Sequence, residues 1–239
     1  ALSSGSGLVT AYTTRQGMPI MQSAAPEIMV VTDRHNGDFL EEIKFDLQPD
    51  VIGIGPGLGM AKTTQDALKN FLKQNESQLV LDADALNMLS ENNDLLELLP
   101  EYSVLTPHPK ELERLIGSWS DDFEKLKKAE AFSDKYKCIL VLKDAHTIVV
   151  FEGKYYVNNT GNPGMATGGS GDVLTGIITG LIAQQYDPLT ASIFGVYLHG
   201  RAGDIAINHT GYEGLTAGMI VEFLGQAYLD LFAQESEKK

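Results

Sequence analysis

The chain has 239 residues, 43% of them hydrophobic, and a formal net charge of −14. That length has room for one large α/β domain with a deep core, and the acidic balance argues against duplex nucleic acid or an anionic membrane as the main partner. Cys138 is the only cysteine, so no intrachain disulfide forms; inside the apolar run "CILVLK" it reads as a buried, inert thiol and not a nucleophile. No stretch approaches ~18 uninterrupted apolar residues, and no charged segment leads into an apolar one, so the chain is expected to be soluble and cytoplasmic.

The sequence opens on "ALSSGSGLVT", which reads as the last turn of a helix running into a strand. A doubly wound fold places a strand before such a turn, so a first β-α unit is expected ahead of it. The runs "GLVTAYT", "EIMVVT" and "DVIGIG" are rich in strand formers and end at turn residues. A helix is predicted for "KTTQDALKNFLKQ", then strands for "QLVLDAD" and "YSVLTP". Helices at "ELERLIG" and "DDFEKLKKAEAFSDKY" flank the loop "GSWSDD", and "CILVLK" is the next strand. Strands apolar on both faces and separated by helices indicate a parallel sheet covered on both sides. "TIVVFEG" and "KYYVNN" read instead as a hairpin closing at Glu152, Gly153 and Lys154, an antiparallel edge.

The last third is helical. "SGDVLTGIITGLIAQQ" starts at a Ser/Gly/Asp cap and is apolar almost all round, so it should be buried. "DPLTASIFGVYLHGRAGDIAINH" takes Asp187 as N-cap and Pro188 as its first residue. "TAGMIVEFLGQAYLDLFAQ" finishes the fold and "ESEKK" is a solvated tail. With no linker, repeat or low-complexity segment, residues 1–239 are expected to form a single domain.

Two glycine-rich stretches invite comparison with known chemistries. "VIGIGPGLGMAKT" follows a strand and precedes a helix, yet the G-x-G-x-x-G dinucleotide fingerprint fails in every register, with Leu58, Met60 or Lys62 at its last position. The loop still leaves the carboxyl end of a strand, where ligands sit in open α/β sheets; the alternative is a tight turn and nothing more. "GNPGMATGGSGDVLTG" (161–176) spaces Gly164 and Gly169 as a phosphate-binding loop would, but Ser170 stands where lysine is mandatory. A G-x-S-x-G elbow fails as well, because Asp172 occupies its final glycine position. What remains is a glycine run feeding the N-terminus of a buried helix, where free N–H groups and the helix dipole favour an anion. Asp172 sits in that first turn, and the same field is expected to stabilise its ionised form. Such a carboxylate suits the task of accepting a hydroxyl proton during phosphoryl transfer; the competing role is helix capping.

Other strand ends carry further polar residues. In "LTPHPKELERL", His108 and Glu111 are expected on one helix face, with a structural role for the histidine as the alternative. In "LVLDADALN", period two points Asp82 and Asp84 the same way, toward a Mg²⁺ contact or toward helix capping. Lys143 in "VLKDAHTIV" faces the same rim, toward a phosphate or toward solvent.

Together, "GIGPGLG", "LDADALN", "LTPHPKE", "LKDAHT", "NPGMATGGSGDVLTG" and "VYLHGRAGD" resemble, over essentially the whole chain, the ADP/ATP-dependent NAD(P)H-hydrate dehydratases. These form the carbohydrate-kinase-like branch of the ribokinase-like superfamily. The resemblance implies a three-layer αβα fold with a mostly parallel central sheet and an antiparallel edge hairpin. It implies repair of NADH or NADPH hydrated at C6 of the nicotinamide ring: a nucleotide phosphorylates the 6-hydroxyl, and phosphate then leaves. By the same resemblance Asp172 is the base, and Gly169, Ser170 and Gly171 cradle the phosphoryl group, with Gly171 also against the nucleotide. Lys143, Asp144, Ala145, His146 and Thr147 line the adenine-nucleotide pocket, while Gly57 and His108 join Asp172 in contacting the hydrated dinucleotide. The superfamily's N-x-x-E is here His108 to Glu111, so Glu111 keeps a role at Mg²⁺ through water. The implied cofactors are Mg²⁺ and, as phosphoryl donor, ADP or ATP; the implied partners are these small molecules and further copies of the chain, with no nucleic acid or membrane. Of the family's first β-α unit only the tail, "ALSSGSG", is present. The rival readings are a kinase for a vitamin precursor or sugar-like alcohol and a catalytically silent nucleotide-binding module.

Overall fold

Successive side chains of a strand point to opposite faces, so a strand buried on both sides must be apolar at every position. In a computed structural model, which describes residues 1–236, "ILVL" meets that condition as β6 (Ile139–Leu142), with all its residues buried. Upstream come β3 (Val51–Ile54), β4 (Gln78–Leu81) and β5 (Val104–Leu105), and downstream β7 (Ile148–Phe151) and β8 (Lys154–Val157). These form a six-stranded sheet in chain order, parallel from β3 to β6 and antiparallel from β6 to β8. The hairpin between β7 and β8 turns on Glu152 and Gly153, both with positive φ (47° and 67°), the primed turn that matches strand twist. The first strands, β1 (Thr10–Thr13) and β2 (Met29–Thr32), pair in parallel as a separate two-stranded sheet.

The alternation sorts the core into two layers. Val80, Val104, Ile139, Val141 and Val149 face α6 (Ser170–Ala183), α7 (Pro188–Thr210), α8 (Ala217–Glu222) and α9 (Leu224–Ser236). Leu79, Leu81, Leu105, Leu140 and Val150 face α2 (Lys62–Leu72), α3 (Ala83–Glu91), α4 (Pro109–Ile116) and α5 (Asp122–Tyr136). This is the expected αβα sandwich, and it puts the carboxyl ends of β3, β4, β5 and β6 on one rim. Asp187 caps α7 as expected, accepting from the Thr190 N–H at 2.9 Å.

One helix was not anticipated, and two local expectations change. The stretch "GMPIMQSA" is a helix, α1 (Gly17–Ala24), whose Pro19 lies in the first turn where a missing N–H costs nothing. The opening turn is a 3-10 turn (Leu2–Ser4). The final apolar run is two helices and not one, because the chain breaks at Phe223 between α8 and α9. Residues 237–239 of the expected tail lie outside the described residues; among those described, no helix is long and apolar enough to cross a membrane.

Cys138 is fully buried where α5 returns to β6, and burial pushes its thiol up to about 12, so it stays an inert core residue. Leu140 is also fully buried, in the central strand, whereas Phe123 is 82% exposed. We expect Leu140→Ala to lower stability by about 2–5 kcal/mol and Phe123→Ala to change it by less than about 0.5 kcal/mol, as read by urea denaturation.

Candidate functional site

The rim is organised by a buried carboxylate. Asp82 follows β4, is 1% exposed and caps α3, accepting from the Ala83 N–H at 2.8 Å. Its Oδ1 also takes a 2.6 Å ion pair from Lys143 Nζ, and its Oδ2 accepts the Thr175 hydroxyl at 2.7 Å. One side chain thereby ties the ends of β4 and β6 to α6. Behind it, Thr106 donates to the Leu81 carbonyl at 3.2 Å and lies 3.4 Å from the Thr175 hydroxyl.

Asp84 does not share this direction. The helix begins at Ala83, so the strand's period of two ends at Asp82, and Asp84 turns to accept the Gly59 N–H at 2.8 Å. That bond pins the β3–α2 loop. The loop also approaches β4 closely: a Cβ on Gly55, whose φ is +131°, would lie 1.8 Å from the Asp82 carbonyl. Gly57, at the crest of the loop, is exposed with open space above it.

His108 and Glu111 are not two residues of one helix face. His108 is the N-cap of α4, its Nδ1 accepting from the N–H groups of Lys110 (3.1 Å) and Glu111 (3.3 Å). Glu111 answers by accepting the His108 N–H at 2.8 Å, and the His108 Nε2 stands 3.2 Å from its other oxygen. This reciprocal cap fixes the tip of β5. Glu111 is 5% exposed, and burial pushes its carboxyl upward.

Gly169, with φ +84°, starts α6 and supplies no side-chain cap. Asp172 does not replace it. Among the described residues its carboxylate makes no hydrogen bond and pairs with no cation, and the residue keeps part of its surface exposed. The N–H groups of Gly171 and Asp172 have no backbone acceptor, as the start of a helix dictates. Lys143 lies beneath: a Cβ on Gly171 would come 3.2 Å from its ammonium, so glycine here lets the helix start approach the cation. The helix field was expected to favour the ionised Asp172. Instead desolvation, with the negative charge of Asp82 adding to it, raises the Asp172 carboxyl above the ordinary range, and Lys143 offsets this only in part.

Lys143 also borders a cavity of about 500 Å³. Leu112, Trp119, Leu126, Leu142 and Ile148 form apolar walls, and Asp144, Ala145 and His146 line it beside Lys143. Thr147 does not line it; its carbonyl accepts the Asn158 N–H at 2.9 Å in the hairpin. No cluster of three metal-ligating side chains occurs among the described residues. Both oxygens of Glu111 already face His108, so it suits a contact to hydrated Mg²⁺ through water and not direct ligation.

Sequence reasoning did not identify Asp82 as the hub, nor Thr175 and His199. The Asp82 bonds span 61 and 93 positions, and no local pattern encodes them. His199, on α7, stands 3.2 Å from the Ser170 hydroxyl, and its only sequence signal was its place in "VYLHGRAGD".

The family model described as NAD(P)H-hydrate dehydratase matches residues 1–227. The chain is 40% identical over 234 residues to a bifunctional NAD(P)H-hydrate repair enzyme of Moorella thermoacetica, covering 94% of this chain and 44% of that one. It is 38% identical over 206 residues to an ADP-dependent (S)-NAD(P)H-hydrate dehydratase of Enterococcus faecalis, covering 85% and 69%. It is also similar to the crystal structure of ADP/ATP-dependent NAD(P)H-hydrate dehydratase from Bacillus subtilis co-crystallised with ATP and Mg²⁺ and soaked with CoA. There the TM-score is 0.79 at 26% identity, over 96% of this chain and 83% of that one. The chain spans less than half the length of the bifunctional relative.

Removing Lys143 while leaving Asp82 ionised strands a buried charge. Lys143→Met should cost about 3–5 kcal/mol, and Asp82→Asn combined with Lys143→Met should recover much of that loss in the same denaturation assay.

Proposed function

We propose that this chain, which belongs to the NAD(P)H-hydrate dehydratase family, uses ADP or ATP to remove water from hydrated NADH or NADPH. The observation that carries the reading is the unpartnered carboxylate of Asp172 beside the free N–H groups of its own helix turn, with Lys143 below them. A base and an anion site side by side fit phosphoryl transfer to a hydroxyl better than any chemistry needing a nucleophilic side chain.

In this mechanism Asp172 takes the proton of the 6-hydroxyl as its oxygen attacks the terminal phosphoryl group of the nucleotide. The Gly171 and Asp172 N–H groups, the glycine run through Gly169 and Ser170, and the Lys143 ammonium receive the charge that builds on the phosphoryl oxygens. AMP or ADP is the product of this step. The C6–O bond then breaks with loss of phosphate and of a proton from the adjacent ring carbon, which restores the double bond. A raised Asp172 carboxyl suits this work, because a base is most effective when its affinity for protons lies nearer the working pH.

The cavity beside Lys143 is the proposed seat of the adenine nucleotide: apolar walls such as Trp119 and Leu126 accept a purine, and the Lys143 to His146 segment runs from there to the transferring phosphate. The hydrated dinucleotide is placed opposite, against Gly57 and the exposed edge of His108. Mg²⁺, held by nucleotide phosphates and by water at Glu111, would screen phosphate charge. The proposed setting is the cytoplasm, with small molecules as ligands and further copies of the chain as the protein partner. The net charge of −14 and the lone, buried cysteine support this setting.

The test is recovery of NADH absorbance from its hydrate on addition of ADP or ATP. Recovery by the wild-type chain is expected, and a stable phosphorylated dinucleotide or no turnover would contradict the reading. Asp172→Asn should lower turnover by at least ~10²-fold, the lower end of a general base's contribution, while nucleotide binding measured by calorimetry stays within threefold. Because Asp172 works ionised and its carboxyl is raised, wild-type kcat/KM should climb as pH rises through that shifted value. The residual activity of Asp172→Asn should lack this limb.

A further inference from the structure

The glycine stretch that builds the anion site has little means of holding its own shape, since glycine loses more conformational freedom on ordering than any other residue. The face of α7 that meets it supplies the missing order. At the start of the stretch, Asp204 accepts the Gly161 N–H at 2.9 Å and the Asn162 side-chain N–H at 3.0 Å, one on each carboxylate oxygen. Asn162 passes the order on, its Oδ1 accepting the Gly164 N–H at 3.0 Å. The Thr160 hydroxyl donates to the Tyr197 carbonyl at 3.0 Å.

In the middle of the stretch, Met165 packs on the helix backbone: a Cβ on Gly203 would fall 2.4 Å from its sulfur, and one on Gly200 would fall 2.3 Å from the Thr160 hydroxyl. At the end, His199 meets the hydroxyl of Ser170, the first residue of α6, at 3.2 Å. His199, Gly200, Gly203 and Asp204 recur at the spacing of one helix face. They are most of the "HGRAGD" segment to which the proposed mechanism gives no part.

We infer that His199 and Asp204 are positioning residues, which hold the stretch from Gly161 to Ser170 at its two ends so that the N–H groups of Gly171 and Asp172 converge on the transferring phosphoryl group. The inference rests on the proposed phosphoryl transfer for its consequence, but not for the tethering itself. His199 is suited to the part because enclosure of its imidazole pushes it down to about 4, so it remains neutral and adds no charge of its own at the phosphate. It reaches the site only through Ser170, and Asp204 only through Gly161 and Asn162. Neither touches a reacting atom.

The test compares His199→Leu, His199→Gln, Asp204→Ala and Ser170→Ala. His199→Leu keeps the volume and removes the hydrogen bond, and His199→Gln restores a polar atom near the position of Nε2. Misplacement of catalytic groups by an ångström costs up to about 10²-fold, so kcat should fall about 10- to 100-fold in His199→Leu and Asp204→Ala. KM for the hydrated dinucleotide should stay within threefold, and His199→Gln should recover most of the rate. His199→Leu with Ser170→Ala should be no slower than the slower single variant, since both remove the same bond. Wild-type kcat in His199→Leu, or additive loss in the double variant, overturns the inference.

Hydrogen exchange supplies a readout independent of turnover. The hydrogen-bonded amides of Gly161, Gly164, Met165, Ala166 and Ser170 should exchange at least about 10-fold faster in His199→Leu and Asp204→Ala, with β4 and β6 unchanged. Unchanged exchange at those amides overturns the tethering even in an active enzyme. Faster exchange in the two variants, together with no turnover by the wild-type chain, overturns the dehydratase reading alone.

Discussion

The architecture of the rim depends on one buried carboxylate. Asp82 is nearly inaccessible, and a charge in that position is tolerated only if it is paired and hydrogen-bonded. Its partners are the ammonium of Lys143, the hydroxyl of Thr175 and the backbone of Ala83, which belong to three different parts of the chain. Satisfying Asp82 therefore sets the end of β6, the first two turns of α6 and the start of α3 relative to one another. The same demand places Lys143 under Gly171, where a second anion would meet it.

A chain with a net charge of −14 is a poor electrostatic host for anionic nucleotides as a whole. The proposed site would answer this locally, with one lysine, the dipole of a 14-residue helix and unpaired N–H groups. These act within a few ångströms, while the surrounding acids act over distances that salt screens. Local design also explains the behaviour of Asp172. Placed in the helix's favourable field, it is nevertheless raised by desolvation and by the nearby Asp82, which moves it toward the properties of a working base. The carboxylate that organises the rim thus also tunes the carboxylate proposed to do the chemistry.

Much of this was legible from residue order. Parallel strands announced themselves as short, two-faced apolar runs, and "FEGK" marked the hairpin through a Glu-Gly turn that tolerates positive φ. The glycine stretch was readable because two motif tests failed in informative ways and left an anion site with an acid. What could not be read depends on contacts across long spans of chain. Period two misdirected Asp84 because the helix nucleated one residue after Asp82, a choice made by the capping bond to Ala83. Proline and two flanking methionines concealed α1, and the apolar run from Thr216 to Ala233 has no proline at the break at Phe223, its nearby Gly225 lying inside α9. His199 has no local signal beyond its place in "VYLHGRAGD": its meaning comes from Ser170, 29 positions earlier.

The central claim is that the hydroxyl oxygen of the hydrate becomes part of the released phosphate. Hydrate labelled with oxygen-18 at the 6-hydroxyl, turned over with unlabelled nucleotide and followed by mass spectrometry of inorganic phosphate, tests this directly. Phosphorylation followed by C–O cleavage predicts one labelled oxygen per phosphate released. Unlabelled phosphate, with the label appearing in water, would mean that the nucleotide is hydrolysed separately and that Asp172 does not direct a phosphoryl group onto the substrate.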